Sequence, residues 1–447
     1  MKAEIKYYAK ELLNIALPII MGNLGFILIG AGDVLIAAKH STDTLAAISI
    51  ANAIISVILT FGIGLIASVS PILSNIRGER KSAKKYFFPT IRFSMILAVI
   101  TMIAILVTIP VIDYLHFEEK LVPHIKEYMF ITAFSTFGVY LQSCLKEFLQ
   151  AFEIVFIPNL VNVFGVFLNV GLNIIFVFGL GPIPSMGVIG LAIASLISRY
   201  VMGFLMLGYC YAIMKLRNFH NTGYYKSLLK IGLPISLAIL VEFVAFNSIA
   251  IFMGRVSGVY AAAQNLVCTL TTVSFMVPLA ISNAIAVKVG FANGADNIKD
   301  VKRYSFIGTA MAVGFMMCSS IVFSSFPQFL VGIFTKDAAL IKICIPVLYI
   351  LSVFQVFDGL QVALSGIFKG LKNTKVVLFA NFLAYWLVSI PLGYYLAFKV
   401  KLMLTGFWYG LALAAIFLCI IMVSILIRDI KRLTIKCSAA EIAPKCN

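Results

Sequence analysis

The amino-acid sequence predicts an all-α membrane protein of twelve transmembrane helices, arranged as two pseudo-symmetric six-helix bundles around a central cleft. Three observations carry this: an apolar composition, apolar runs of spanning length separated by short polar breaks, and a repeat relating the two halves of the chain. Of the 447 residues, 62% are hydrophobic and 12% charged, about half the charged share of a soluble domain. A bilayer core about 30 Å thick takes roughly 20 apolar residues per helix, and runs of that length recur almost from end to end. The alternating segments of a membrane barrel do not recur, so helices remain as the way to satisfy the backbone in lipid.

In chain order, the first half places spans near 14–38, 45–75, 91–112, 126–150, 159–181 and 187–214. The first follows the polar and basic stretch Met1 to Lys10, runs past signal-peptide length and stops before Lys39, so no cleavable leader is expected. The second stops before the basic cluster Arg77, Arg80, Lys81, Lys84 and Lys85, and the third before Asp113. The fourth begins at Lys126, the fifth just after Pro158, and the sixth ends before Lys215. The second half repeats the plan near 228–253, 259–290, 305–332, 341–368, 376–398 and 404–427, with breaks at Arg255, Lys299, Lys336, Lys369, Lys399 and Arg428. The expected organisation is an N-lobe over 1–214, a cytoplasmic linker over 215–227, a C-lobe over 228–436 and a cytoplasmic tail over 437–447.

Twelve spans put both termini on one side. Lys and Arg number 24 on that face against 8 on the other, which by the positive-inside rule makes it the cytoplasmic face of the inner (plasma) membrane. The net charge of +17 is then mostly topological, and without a basic soluble domain no nucleic-acid partner is expected. The eight cysteines have neither CxxC spacing nor a paired outer-loop framework and read as inert thiols.

The repeat is legible by eye. NIALPI at Asn14 to Ile19 returns as KIGLPI at Lys230 to Ile235, and the same offset of 216 matches Ala46 and Ala47 to Ala262 and Ala263, and Gly78 to Gly294. LQSCLKEFLQAF from Leu141 matches LQVALSGIFKGL from Leu360 at an offset of 219, which also pairs Asn162 with Asn381. Six spans per copy, an even number, relate the halves by an axis along the membrane normal.

Three carboxylates lie far enough from the flanking charges to sit within the hydrocarbon zone: Asp33, Glu242 and Asp358. Each would cost roughly 2.5–3.5 kcal/mol at mid-helix, so each marks a functional site or a buried pair locking helices together. Asn169 and Asn173 lie four apart on one face, where their amide oxygens and the hydroxyl of Ser195 can meet Asp33 around a small cation; the same amides also suit helix-to-helix bonding. Arg199, one turn beyond Ser195, either neutralises a carboxylate or snorkels. In the second half Gln355, Asp358 and Gln361 form an i, i+3 stripe that Gln264 and Asn265 join. HExxH, GxSxG and Walker A motifs are absent, so an enzyme or an ATP-driven pump is not expected.

ALPI at Ala16 to Ile19, Asp33, LAAISIANAI at Leu45 to Ile54 and LNVGLNIIFVFG at Leu168 to Gly179 resemble the multidrug and toxic compound extrusion (MATE) family. So do GLPISLAILVEF at Gly232 to Phe243, AAAQNL at Ala261 to Leu266 and VFDGLQVALSGIFKGLKNT at Val356 to Thr374. Glu242 together with Asp358 is similar to the NorM-type branch. The resemblance implies that Asp33, Asn169, Asn173 and Ser195 form an N-lobe cation site, Ser195 standing where relatives often carry Thr. It implies that Glu242 and Asp358 form a C-lobe site for Na⁺, protons or cationic substrate. Lys288 stands where many relatives carry Arg.

The function expected is export of organic cations and drugs in exchange for Na⁺ or H⁺ by alternating access. The partners are small organic cations and membrane lipids, the chain acts as a monomer, and no cofactor is needed beyond the coupling ion. A flippase for a lipid-linked or polysaccharide precursor is the alternative within transport. A non-transporting membrane scaffold or intramembrane enzyme is the alternative outside it.

Overall fold

A computed structural model describes residues 2–214 and 222–442. Most of the expected linker, 215–221, and the end of the expected tail, 443–447, lie outside the described residues. Among the described residues the chain is helical and without strands, and eleven helices are long and apolar enough to cross a membrane. The one expected span outside these eleven, the fourth, is the 29-residue helix Val122–Gln150, which has the length to cross but buries Thr132, Ser135, Thr136 and Gln150.

The helices, in order, are α1 (Lys2–His40), α2 (Thr42–Ile66), α3 (Val69–Gly78), α4 (Phe87–Thr108), α5 (Val122–Gln150), α6 (Phe156–Phe178) and α7 (Gly187–Ile213). They continue as α8 (Thr222–Gly254), α9 (Gly258–Gly294), α10 (Ile298–Ser325), α11 (Pro327–Gly332), α12 (Ala338–Gly370), α13 (Thr374–Phe382), α14 (Ile390–Tyr394) and α15 (Met403–Ile442). The expected second span is thus two helices, parted by a turn at Ala67 and Ser68 and restarted two residues before Pro71. The eleventh is α13, a π-helical segment at Leu383–Ser389, α14 and a second π-helical segment at Tyr395–Lys399. Pro391 has no N–H to give and crowds the preceding turn, a cause of just such widening.

Polar side chains start several helices. Ser41 accepts from the backbone N–H of Thr44 at the head of α2, and Ser257 does the same for Tyr260 at the head of α9. These positions match at the 216 offset, so the repeat extends to the caps that satisfy the first free N–H groups of a helix.

The described residues pack into two compact units. One comprises those within Leu17–Leu73 and Ser82–Ser236, the other those within Met1–Ala16, Ser74–Lys81 and Leu237–Asn447. In the first, α5 packs on α7, α4 and α2, and α6 on α7. In the second, α12 packs on α9, α10 and α15.

This division cuts through the first helix of each repeat. The start of α1 is held by the second half: Tyr8 Oη donates to Asp300 Oδ1 at 2.7 Å, Arg303 Nη2 to Glu4 at 2.9 Å, and Lys288 Nζ to Glu11 at 2.5 Å. Correspondingly, the start of α8 is held by the first half: Ser236 Oγ donates to Phe61 O at 2.7 Å, and the hydroxyls of Tyr224 and Thr90 lie 2.7 Å apart. Pro18 and Pro234, related by the 216 offset, stand beside the two divisions.

Candidate functional site

Within the unit containing Leu17–Leu73 and Ser82–Ser236, Asp33 of α1, Asn169 and Asn173 of α6 and Ser195 of α7 meet in one buried cluster. Asp33 is 8% exposed and Asn173 fully buried. Asn173 Nδ2 donates to Asp33 Oδ1 at 2.5 Å and to Asn169 Oδ1 at 3.0 Å. Ser195 Oγ donates to Asp33 Oδ2 at 3.4 Å and accepts from Asn169 Nδ2 at 3.3 Å. The four-residue spacing of Asn169 and Asn173 puts both amides on the same face of α6, and α7 brings the hydroxyl from the far side.

The ring of bonds leaves Asn173 Oδ1 buried without a donor. An oxygen in that condition costs stability unless something positive reaches it. One carboxylate, amide oxygens and a hydroxyl suit a single monovalent cation or a proton. They are too few charges for a tight divalent site, and no cluster of three or more His, Cys, Asp or Glu occurs among the described residues. Arg199 Nη1 donates to Ser135 Oγ at 2.5 Å, and its charge is within electrostatic range of Asp33.

In the other unit, Asp358, Gln355 and Gln361 of α12 are all buried, so the i, i+3 stripe faces inward. Glu242 of α8 is half-buried and within electrostatic range of Asp358. Two residues that the sequence reading did not name as site residues complete its surroundings. Tyr385 Oη donates to Glu242 Oε1 at 3.3 Å, and Asn381 Nδ2 lies 3.5 Å from Oε2. Tyr385 sits in the first π-helical segment, a local geometry frequent at functional positions. The available signal was the match of Asn381 to Asn162 in the repeat; in the first half Asn162 Oδ1 accepts from Gln142.

The remaining amides are divided. Gln264 Oε1 accepts from Trp408 Nε1 at 2.9 Å, and Gln355 Oε1 accepts from Ser319 Oγ at 2.6 Å, so both oxygens are engaged away from the acids. Gln361 Oε1 and Asn381 Oδ1 are buried without a donor. Asn265 is exposed, turned from the buried face that Gln264 occupies.

The chain is 27% identical to the probable multidrug resistance protein NorM of Bacillus subtilis over 90% of this chain and 91% of that protein. It is 27% identical to the probable multidrug resistance protein NorM of Acinetobacter baylyi over 96% and 97%. Among solved structures, a MOP superfamily transporter from Pyrococcus furiosus, described as having a binding pocket of reverse polarity, superposes with a TM-score of 0.85 at 20% identity, covering 96% of this chain and 97% of that one. A eukaryotic MATE transporter does so with a TM-score of 0.85 at 18% identity, covering 96% and 98%. The MatE family model matches residues 18–175 and 234–395, one stretch in each half, and the chain accordingly belongs to the MatE family, whose members are membrane transporters and not enzymes.

Proposed function

We propose that this chain is a secondary antiporter that exports bulky organic cations in exchange for Na⁺ or H⁺. The observation that carries the reading is Asp33: a carboxylate inside a spanning helix, ringed by Asn173, Asn169 and Ser195, with the Asn173 oxygen lacking a donor. A carboxylate so placed is expensive in lipid and persists where an ion or proton uses it. The relatives named multidrug resistance proteins support drugs as the cargo.

In this reading Glu242 and Asp358 attract the cationic cargo, and neutralising a carboxylate releases it. Ion and cargo then compete, and the coupling is reciprocal. The lobes carrying the two sets of acids rock so that each is exposed to one side in turn. The protein works as a monomer in the inner membrane, both termini in the cytoplasm, where the excess of Lys and Arg lies.

The test is ethidium transport by the purified chain in proteoliposomes, under an imposed Na⁺ gradient and, separately, a pH gradient. Accumulation driven by one gradient and abolished by its collapse is expected. No gradient-dependent flux in either arm would overturn the reading.

A further inference from the structure

Arg199 lies in the middle of the spanning helix α7, away from either end. α6 carries no charged residue and α7 carries only Arg199, while the charged residues of α5 lie in its first or last two turns. In α2 the one charged residue is Asp43, in the first turn, and in α1 the nearest charge to Asp33 is Lys39, in the last turn. Among the helices that supply the first-half cluster and those packed around it, Asp33 and Arg199 are therefore the two charges at mid-span.

The Arg199 side chain does not reach for the membrane surface. A Cβ on Gly138 of α5 would stand 2.7 Å from the carbonyl carbon of Arg199 and 2.8 Å from the backbone nitrogen of Tyr200, so α7 is laid directly on α5 at this point. From that crossing the side chain runs back along α5 by one turn, and Nη1 donates to Ser135 Oγ at 2.5 Å. Ser135 is 1% exposed and donates its own proton to Thr132 O at 2.7 Å, which fixes its hydroxyl as the acceptor for Arg199. Helical side chains lean toward the N-terminus of their own helix. The guanidinium accordingly stands near the level of Ser195, one turn earlier on α7.

Ser195 is the residue whose hydroxyl meets Asp33 Oδ2 and Asn169 Nδ2. Tyr128, 3% exposed and two turns before Ser135 on α5, lies within electrostatic range of both Asp33 and Arg199 and donates to Asn52 Oδ1 at 3.2 Å. A carboxylate and a guanidinium are each expensive in the middle of a membrane and far less so together. Yet Asp33 takes hydrogen bonds from Asn173 and Ser195, while the guanidinium is held by Ser135. The charge of Asp33 is thus balanced from a distance, and its remaining lone pairs stay open to an ion.

The second half has no copy of this arrangement. Offsets of 216 and 219 carry Arg199 to Ala415 and Leu418, and Glu242 meets the neutral Tyr385 and Asn381. The duplicated bundle therefore does not need the arginine as a packing element.

We propose that Arg199 is the resident counter-cation of the Asp33 cluster, and that it holds the affinity for the coupling ion low enough for release. The proposal rests on the transport reading and names the residue that tunes its ion site. An arriving cation meets a carboxylate already balanced and is repelled by the fixed guanidinium. Passage requires binding strong enough to enter and weak enough to leave. Asp33 with amide oxygens alone would retain the ion.

The test is Na⁺ binding by titration calorimetry to the purified full chain, in mildly alkaline buffer of constant ionic strength, with Arg199→Gln and Arg199→Lys as variants. Glutamine keeps N–H donors and removes the charge. Arg199→Gln is expected to bind Na⁺ at least tenfold more tightly than the parent, and Arg199→Lys, with the same unit charge, to stay within about threefold of it. Adding Asp33→Asn to Arg199→Gln should abolish the gain. In Na⁺-free buffer Arg199→Gln should melt below the parent, and the added Asp33→Asn should restore the melting point, since the two residues act through each other. Na⁺ binding by Arg199→Gln that is unchanged, weaker or undetectable overturns the proposal. So does a gain in binding, or a loss of melting temperature, that survives the addition of Asp33→Asn. Tightening in a chain that moves no ethidium under either gradient would support the counter-cation and count against organic-cation export.

Discussion

Asn173 Nδ2 bonds at once to Asp33 Oδ1 at 2.5 Å and to Asn169 Oδ1 at 3.0 Å. One amide therefore orders both the charge and the neighbouring oxygen of the first-half cluster. Its own oxygen, left without a donor, is the group a bound cation would contact. Asn173→Leu keeps the branched shape of the side chain and removes both bonds. Cation binding measured by titration calorimetry is expected to weaken at least tenfold, a difference of about 1.4 kcal/mol. Asp33→Asn, which removes the only carboxylate of the cluster, is expected to abolish binding there and to stop ethidium export. Undiminished export by Asp33→Asn would remove this cluster from the mechanism.

Tyr385→Phe deletes the hydroxyl that bonds Glu242 Oε1 and leaves the ring, which is 1% exposed, in place. The fold keeps its packing, so the expected change is functional. Cargo affinity read from competition by ethidium should change about two- to tenfold, the range of one net hydrogen bond. A melting temperature within about 2 °C of the parent would separate this effect from loss of structure.

Trp408→Phe probes a bond of a different kind. Trp408 is fully buried and its indole N–H is the donor to Gln264 Oε1. Without it a dry amide oxygen loses its partner, at a cost of about 1–3 kcal/mol. The variant should melt lower in detergent while export per folded molecule is retained. A loss of export without loss of stability would instead assign Gln264 to the cargo path.

Lys372, in the turn between α12 and α13, is pushed below its ordinary value of 10.5 by burial, with the Glu79 carboxylate pulling the other way. For a cation whose value is lowered in the folded state, the unfolded chain binds the extra proton between the lowered value and 10.5. Stability therefore rises with pH across that window. Melting curves taken stepwise toward pH 10 should show this rise, and Lys372→Met should flatten it. An unchanged pH slope in the variant would show that Lys372 is not the group responsible.

The sequence by itself determined the membrane class, the position of the spans, the duplication and the residues at which polarity intrudes on apolar helices. Each is a local property: a run length, a charge count, a recurring string or an isolated Asp33 or Glu242. It also brought Asn169 and Asn173 together, because helical spacing alone puts them on one face. Three features were left to the tertiary structure. The exchange of the first helix segments at Pro18 and Pro234, the approach of Asn381 and Tyr385 to Glu242, and the capture of Gln264 by Trp408 all join residues more than a hundred positions apart or divide a helix whose sequence is continuous. Hydropathy and periodicity describe which way a side chain faces from its own helix. Which helix stands opposite is settled by backbone approach and by the pairing of buried polar groups, and those depend on the whole packing.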